Sequence, residues 1–248
     1  MDETKKSKDS INIEKRSLWK YATFILAIAV IILVIFLVRA NITNKSIENI
    51  NNEVVEEVNM NVFLENSEIY PSIGPKNSEN VVIEFSDFQC PYCAISSGLP
   101  DFAKQYETQY SELFGSSEML QEKAKAGELR FIYVPMSFLG QESVYAAEAG
   151  LCANQQGKFW EMHDLIFSAH DGKENNGKFS KENLKQMASN IQGLDTNKFN
   201  NCLDNDETLS DVQEVASVAS QFVSGTPSFF VNGQQVSASK TQILQALK

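Results

Sequence analysis

Histidine and cysteine are both scarce in this chain. Its 248 residues include two histidines, His163 and His170, and four cysteines. Only Cys90 and Cys93 are closely spaced, whereas a structural zinc site usually takes four Cys or His ligands. A zinc site is therefore disfavoured, and no metal or other cofactor is predicted. The two histidines are expected to cap or decorate a helix.

Basic residues are also in deficit, with 21 Lys and Arg against 32 Asp and Glu. The resulting net charge of −11 would repel phosphate backbones, so nucleic-acid binding is disfavoured. No internal repeat is visible, and a hydrophobic content of 43% is ample for a packed core. The composition therefore indicates a globular domain that does not bind nucleic acid.

One long apolar run interrupts this acidic sequence near its start. Residues Tyr21–Val38 carry no charge, and a helix of this length, at about 1.5 Å per residue, would cross roughly 27 Å of hydrocarbon. Basic residues cluster just before the run, at Lys15, Arg16 and Lys20. By the positive-inside rule, residues 1–17 are predicted to be a cytoplasmic tail, and residues 18–40 a transmembrane signal anchor.

A cleavable signal peptide is the alternative interpretation of the same segment. Ala40 offers an acceptable small residue for cleavage, but the apolar run exceeds the roughly 7 to 15 residues of a signal core, and Arg39 fits the cleavage site poorly. Either way, the rest of the chain is exported. We expect a single-pass protein of the cell membrane with its N-terminus in the cytoplasm and its folded domain outside.

Beyond the anchor, residues 41–69 are predicted to be a linker and residues 70–248 the folded domain. Strands are predicted at Val81–Phe85 and Leu129–Val134, with a helix from Pro91 to about Gln105 between them. This β-α-β order suggests a parallel strand pair. Helical patterning then extends over about residues 141–222, and a hairpin at Ser228–Val236 and a short helix close the chain.

The sequence Cys90-Pro91-Tyr92-Cys93 directly follows the first predicted strand. If a helix begins at Pro91, the Cys90 sulfur lies at its N-terminus, where free backbone N–H groups and the helix dipole favour a thiolate. Proline suits the first helical position because its fixed φ matches the helix and it has no N–H to satisfy. The motif is therefore predicted to be a redox-active dithiol, with half of a zinc site as the less favoured alternative.

The other two cysteines, Cys152 and Cys202, fall on separate predicted helices. In an oxidising compartment they are predicted to form a structural disulfide, which in the chain-entropy model could stabilise the fold by roughly 4 kcal/mol. Two buried free thiols are the alternative, and a second redox relay is a weaker one because neither cysteine lies in a CxxC motif.

Two separated stretches resemble the DsbA-like branch of the thioredoxin superfamily. They are Phe85–Cys93, FSDFQCPYC, and Gly225–Gly233, GTPSFFVNG, and Gly157–Trp160 in the helical region is also similar. The resemblance covers about residues 70–248. It implies an α/β, thioredoxin-like fold with an inserted helical subdomain at about residues 141–222, preceded by the one transmembrane helix.

The resemblance also implies roles for individual residues. Cys90 is expected to be the more exposed, nucleophilic thiol, and Cys93 to resolve the mixed disulfide. Pro227 is expected to be a cis-proline facing the two thiols, leaving the Thr226 backbone free to pair with a substrate strand; an ordinary trans turn is the alternative. Glu84 is expected to be a buried acid that exchanges a proton with the resolving cysteine, against the alternative of a solvent-facing strand residue.

Together these features predict a protein thiol-disulfide oxidoreductase, and more specifically an oxidase that donates disulfides to reduced or unfolded exported proteins. The Pro91-Tyr92 dipeptide, which lacks the histidine that many DsbA-like oxidases carry, predicts an oxidant milder than the extreme of the family. A membrane reoxidant of the DsbB type is implied by the resemblance. The linker looks too short and too polar for the separate dimerisation domain that dimeric isomerases of the superfamily carry, which favours the oxidase, and the protein is expected to be a monomer. A disulfide isomerase or reductase, and less favourably a CxxC metal-handling module, are the alternatives.

Overall fold

The computed structural model describes residues 33–34 and 60–248. Leu33 and Val34, both helical, fall within the predicted membrane anchor. The remainder of the predicted tail and anchor, and residues 41–59 of the predicted linker, lie outside the described residues. Over the two described ranges, no helix combines the length and the apolar character that a membrane crossing requires.

A five-stranded mixed sheet forms the centre of the domain, in the order β1-β3-β2-β4-β5. Its strands are β1 (Ser72–Ile73), β2 (Val81–Asp87), β3 (Arg130–Met136), β4 (Ser228–Val231) and β5 (Gln234–Val236). The helices before the insertion are α1 (Asn61–Glu65), α2 (Pro91–Ser97), α3 (Asp101–Lys104) and α4 (Ser116–Lys125). Those that follow β3 are α5 (Gln141–Asn154), α6 (Phe159–Ala169), α7 (Lys181–Ala188), α8 (Thr196–Asp204), α9 (Leu209–Ala219) and, after β5, α10 (Lys240–Ala246).

The two central strands, β2 and β3, run parallel, as the β-α-β order predicted. Strand β4 then pairs antiparallel with the other side of β2, and the β4–β5 hairpin turns at Asn232-Gly233, as predicted. In register, Glu84 of β2 lies between Tyr133 of β3 and Phe229 of β4. The central strand therefore carries its carboxyl group in the middle of the sheet.

Strand β2 is buried on both faces, and its alternation assigns each side chain to one of two cores. Ile83 and Phe85 pack into a core that also contains Phe63 and Val215, whereas Val82 packs with Leu120 of α4 on the opposite face. Glu84 is even-numbered like Val82, and its carboxyl meets the first turn of α4. Burial on both faces explains why this strand reads as a nearly continuous apolar run.

The packed domain begins earlier than residue 70, inside the segment predicted to be linker. Phe63 of α1 is fully buried, with its ring centroid 4.9 Å from Tyr70, 5.0 Å from Phe85 and 4.8 Å from Phe222. A single aromatic residue following an Asn- and Glu-rich stretch gives no local periodicity, so the sequence did not indicate this contact.

The helix that begins at Pro91 is shorter than predicted. It ends at Ser97, because Gly98 takes a left-handed conformation with φ of 70° and caps the helix through its backbone N–H to Ile95. Pro100 follows two residues later and precedes the short helix α3. The next helix, α4, was not predicted, although its first turn proves central to the site.

The inserted helical subdomain consists of α5 to α9, which occupy residues 141–219. A disulfide joins Cys152 of α5 to Cys202 of α8, with an S–S distance of 1.99 Å and a Cα–Cα distance of 5.9 Å. The two histidines are buried, so neither decorates a helix surface: His163 packs among aromatic rings, whereas His170 is the C-cap residue of α6, one of the positions expected. Sequence spacing alone did not show that their helix is covered on this side.

Candidate active site

Cys90 and Cys93 are free thiols at the start of α2. Cys90 is the N-cap residue, Pro91 occupies the first helical position, and Cys93 lies one turn further on. The Cys90 side of the pair faces outward, with 6% of the residue exposed, whereas Cys93 is fully buried. A reagent approaching from solvent therefore meets the Cys90 sulfur first.

The surroundings of Cys90 favour its thiolate. A hydrogen bond from the Cys93 thiol is the largest cause, and burial opposes it. The Thr226 side chain and the backbone N–H groups of Cys93 and Tyr92 also favour the thiolate, and together these groups lower the pKa of Cys90 to about 7. Proline at the first helical position leaves these next two N–H groups as the donors nearest the sulfur. The predicted activation of this thiol thus has an identifiable set of donors.

The surroundings of Cys93 act in the opposite direction. Burial is the largest cause that raises its pKa well above the usual value, and the neighbouring Cys90 raises it further, while Ser86 and Thr226 oppose this. Two thiols three residues apart therefore differ in charge preference: the outer one ionises readily and the inner one holds its proton. This asymmetry suits an outer nucleophile and an inner resolving thiol.

The loop before β4 brings Thr226 and Pro227 to the two thiols. The Thr226–Pro227 peptide bond is cis, and the Cys90 thiol donates to the Thr226 carbonyl oxygen at 3.5 Å. Thr226 is 136 positions from Cys90 in sequence. The second stretch quoted for the family resemblance is thus in contact with the first.

Glu84 lies behind the two thiols and is 1% exposed. Burial raises its pKa to about 7, the Ser117 and Ser86 hydroxyls oppose this, and the charge on Cys90 adds to it. The Ser117 hydroxyl donates to Oε2 of Glu84 at 2.7 Å. The solvent-facing alternative for Glu84 does not hold, and the carboxyl can take up or release a proton near neutral pH.

Tyr92, the second residue between the cysteines, points outward. It is 49% exposed, and its ring packs edge-on against Tyr110, with 5.6 Å between the centroids. Phe138, also 49% exposed, lies in the loop that follows β3. Aromatic surface is therefore exposed at Tyr92, between the two cysteines in sequence, and at Phe138.

Asp87, at the end of β2, is a buried residue whose role the sequence did not indicate. Its carboxyl accepts hydrogen bonds from the backbone N–H of Gln89 at 2.9 Å, from Phe138 at 3.0 Å and Leu139 at 3.3 Å, and from the Ser143 hydroxyl. Burial raises its pKa, which these donors oppose. Asp87 therefore ties the loop carrying Cys90 to the loop after β3.

His170 was also missed as a support of the motif loop. Its Nδ1 accepts the backbone N–H of Gly172 at 2.9 Å, so Nε2 carries the proton and donates to the Gln89 carbonyl oxygen at 3.0 Å. The Gln89 side chain in turn accepts the backbone N–H of Asn175 at 2.6 Å. Residues of the helical insertion thus fix the position of Gln89, the residue before Cys90. No local sequence motif predicts these contacts.

No cluster of three or more His, Cys, Asp or Glu side chains suitable for a metal ion occurs within residues 33–34 and 60–248. In that part of the chain, the chemistry of the site consists of two thiols, one buried carboxyl and the Thr226 carbonyl.

The model of a family described as thioredoxin matches residues 66–247. The chain belongs to the thioredoxin family. Among solved structures, DsbA of Chlamydia trachomatis matches with a TM-score of 0.56 and 16% identity, over 74% of this chain and 92% of that one, which agrees with the predicted thioredoxin-like fold.

Two relatives match about two thirds of this chain, and both are longer proteins. A Na⁺/H⁺ antiporter NhaA of Salinispora tropica is 30% identical over 165 residues, 65% of this chain and 21% of that protein. A Rickettsia conorii protein provisionally named protein-disulfide oxidoreductase is 27% identical over 168 residues, 66% of this chain and 53% of that protein. The chain therefore spans about half, or less, of the length of these relatives.

Proposed function

We propose that this protein is an extracytoplasmic thiol-disulfide oxidoreductase that acts as an oxidase, donating disulfides to reduced exported proteins through Cys90 and Cys93. The observation that carries the proposal is the opposite charge preference of the two thiols, with Cys90 lowered to a pKa of about 7 and Cys93 raised, beside the buried Glu84. Thiol-disulfide exchange needs one such nucleophilic sulfur and one resolving sulfur.

In the oxidised enzyme, a substrate thiolate attacks the Cys90 sulfur. The Cys90–Cys93 bond breaks, a mixed disulfide forms between substrate and Cys90, and Cys93 leaves as a thiolate that takes a proton, for which Glu84 is the neighbouring acid. A second substrate thiolate then attacks the substrate sulfur of the mixed disulfide. The substrate leaves oxidised by two electrons, and Cys90 leaves as a thiolate in the reduced enzyme.

The size of the Cys90 shift favours a moderate oxidant. At pH 7, a thiol with a pKa of about 7 is half ionised, which stabilises the reduced enzyme about twofold over a thiol with the ordinary value of 9.0 and is equivalent to about 10 mV. A pKa near 3.5, as in the most oxidising relatives, would contribute roughly 100 mV. We expect a potential between the family limits of about −270 and −120 mV.

The location and partners proposed here rest on the sequence. The apolar run at Tyr21–Val38 and the basic residues before it support a membrane anchor with the thioredoxin-family domain outside the cytoplasm. Oxidation of exported proteins then requires a reoxidant in the same membrane, for which a DsbB-type quinone-linked protein is the proposed partner. The acting unit is proposed to be a monomer.

Two measurements test the proposal. The potential is obtained by equilibrating the protein with glutathione buffers, and the state of Cys90 and Cys93 in cells by thiol alkylation, with a Cys90→Ser, Cys93→Ser variant as the control for the other cysteines. An oxidase should give an intermediate potential and a mainly disulfide state. A potential near −270 mV with a mainly dithiol state would instead identify a reductase or isomerase.

A further inference from the structure

Three serine hydroxyls form a buried chain that ends on Glu84. Ser116 and Ser117 are the first two residues of α4, and Ser96 is the next-to-last residue of α2. The Ser116 and Ser96 oxygens are 2.7 Å apart, those of Ser96 and Ser117 are 2.7 Å apart, and Ser117 donates to Oε2 of Glu84 at 2.7 Å. All three serines are at most 1% exposed.

When Glu84 is ionised, the hydrogen bonds among the three serine hydroxyls can run in only one direction. Each hydroxyl has a single proton to donate. Because Ser117 gives its proton to the carboxylate, it must accept from Ser96, and Ser96 must then accept from Ser116. Every hydroxyl is satisfied in this arrangement, and each donor polarises the next, so the whole chain strengthens the bond to the charged carboxylate.

The same carboxyl shares its surroundings with the reactive thiols. Glu84 interacts electrostatically with Cys90, and Tyr133, its register neighbour on β3, interacts with the charges of both Glu84 and Cys93. Two titratable groups face Glu84: Cys90, the N-cap residue of α2, and Tyr133 of β3. The other neighbours of Glu84 are Phe229, its register partner on β4, and Ser117 of α4, and neither titrates in the accessible pH range. A change in the serine chain therefore reaches the thiols through Glu84.

We propose that Ser117, held by Ser96 and Ser116, is a positioning residue that fixes the Glu84 carboxylate and thereby sets the pH at which Glu84 exchanges a proton with the active-site thiols. The inference rests on the proposed thiol-disulfide exchange. Burial raises the pKa of Glu84 and would by itself keep the carboxyl protonated at neutral pH. The hydrogen bond from the Ser117 hydroxyl lowers this pKa because it stabilises the charged carboxylate. Glu84 can then cycle between its two states once per exchange.

Removing this hydroxyl should shift the titration of Glu84. In a Ser117→Ala variant of the reduced protein, the Glu84 midpoint should rise by about one pH unit, the tenfold effect of one hydrogen bond to a charged group. The infrared carboxyl stretch measures it, with Glu84→Gln identifying the band. Ser117→Thr, which keeps the hydroxyl, should restore the midpoint, and Ser96→Ala should shift it in the same direction by less.

Ser97→Ala is the matched control. Ser97 is also buried and also near the end of α2, but its hydroxyl donates to the Ala94 carbonyl oxygen at 2.8 Å and is not in the chain. It should leave the Glu84 midpoint in place. An unchanged midpoint in Ser117→Ala, or an equal shift in Ser97→Ala, would overturn the inference. If Ser117→Ala does not fold, Ser96→Ala decides in the same way.

A second readout separates this inference from the proposed function. The pH profile of single-turnover exchange with glutathione disulfide should move with the Glu84 midpoint in Ser117→Ala, and should not move further when Ser117→Ala is added to Glu84→Gln. If Ser117→Ala still shifted the pH profile in the Glu84→Gln variant, Ser117 would not act through Glu84 and the inference would be overturned. A wild-type protein that shows no exchange at all would refute the proposed function, while the infrared titration would still decide whether Ser117 controls Glu84.

Discussion

Substituting Glu148 with glutamine is expected to make the domain more stable above neutral pH. Glu148 lies on α5 and is 1% exposed, and neither of its carboxyl oxygens accepts a hydrogen bond from a donor among the described residues. Burial raises its pKa from 4.5 to about 7; Lys181 opposes the shift and Asp206 adds to it. A buried carboxylate that accepts no hydrogen bond destabilises the fold whenever it is ionised, because its lost hydration is not replaced.

The direction of the pH effect follows from proton binding. Below pH 4.5 the carboxyl is protonated in both the folded and the unfolded chain, and its stabilising contribution is fully present. As the pH rises, the unfolded chain loses the proton first, so stability falls until the pH passes the folded pKa of about 7. The full loss is about 3 kcal/mol, most of which falls between pH 5 and pH 8.

Urea unfolding at pH 5 and pH 8 measures this contribution. The buried Glu84 changes stability in the same direction and pH range, so the quantity of interest is the difference between wild type and Glu148→Gln at each pH. That difference should grow by about 2 to 3 kcal/mol in favour of the variant. Glu182→Gln, at an exposed position on α7, is the control for removing a negative charge. A gap that stays constant within about 0.5 kcal/mol would refute the reasoning.

Two further predictions concern the cysteines. Replacing both Cys152 and Cys202 with alanine should lower the free energy of unfolding by about 4 kcal/mol, because their disulfide closes a loop with a sequence separation of 50. Denaturation of the wild-type protein with and without reductant measures the contribution of the bond apart from that of the deleted sulfur atoms. A loss below about 1 kcal/mol would contradict the prediction. In the reduced protein, the ultraviolet thiolate absorbance should titrate at about pH 7 and disappear in Cys90→Ser. Persistence of that transition in Cys90→Ser would assign it to Cys93 and reverse the proposed roles.

The redox motif could be found from sequence because its chemistry is local. Cys90, Pro91 and Cys93 lie within four consecutive residues, and an apolar strand followed by proline at a first helical position is enough to place the first sulfur at a helix N-terminus. Thr226 and Pro227 lie far away in sequence, and the resemblance to the DsbA-like branch, rather than any local pattern, brought them into the predicted site.

The supports of the site could not be found in this way. Asp87, His170 and Ser117 each act through a partner 30 or more residues away, as Ser117 does on Glu84 across 33 positions. Serine, aspartate and histidine are common at surfaces and turns, so their presence in a sequence predicts nothing until the partner is known. The start of the domain was misplaced for the same reason, since the burial of Phe63 depends on Phe85 and Phe222.

The sequence by itself determined the chemistry of this protein: two thiols at redox spacing, a strand and a helix start around them, and an acidic residue six positions before the first. These features depend on neighbours along the chain, and backbone geometry dictates them. Only the tertiary structure decided the protonation behaviour of the site. Burial of Glu84 and Cys93 and the donors to Cys90 come from strands, helices and a loop brought together by packing, and desolvation acts on a charge only after that packing exists.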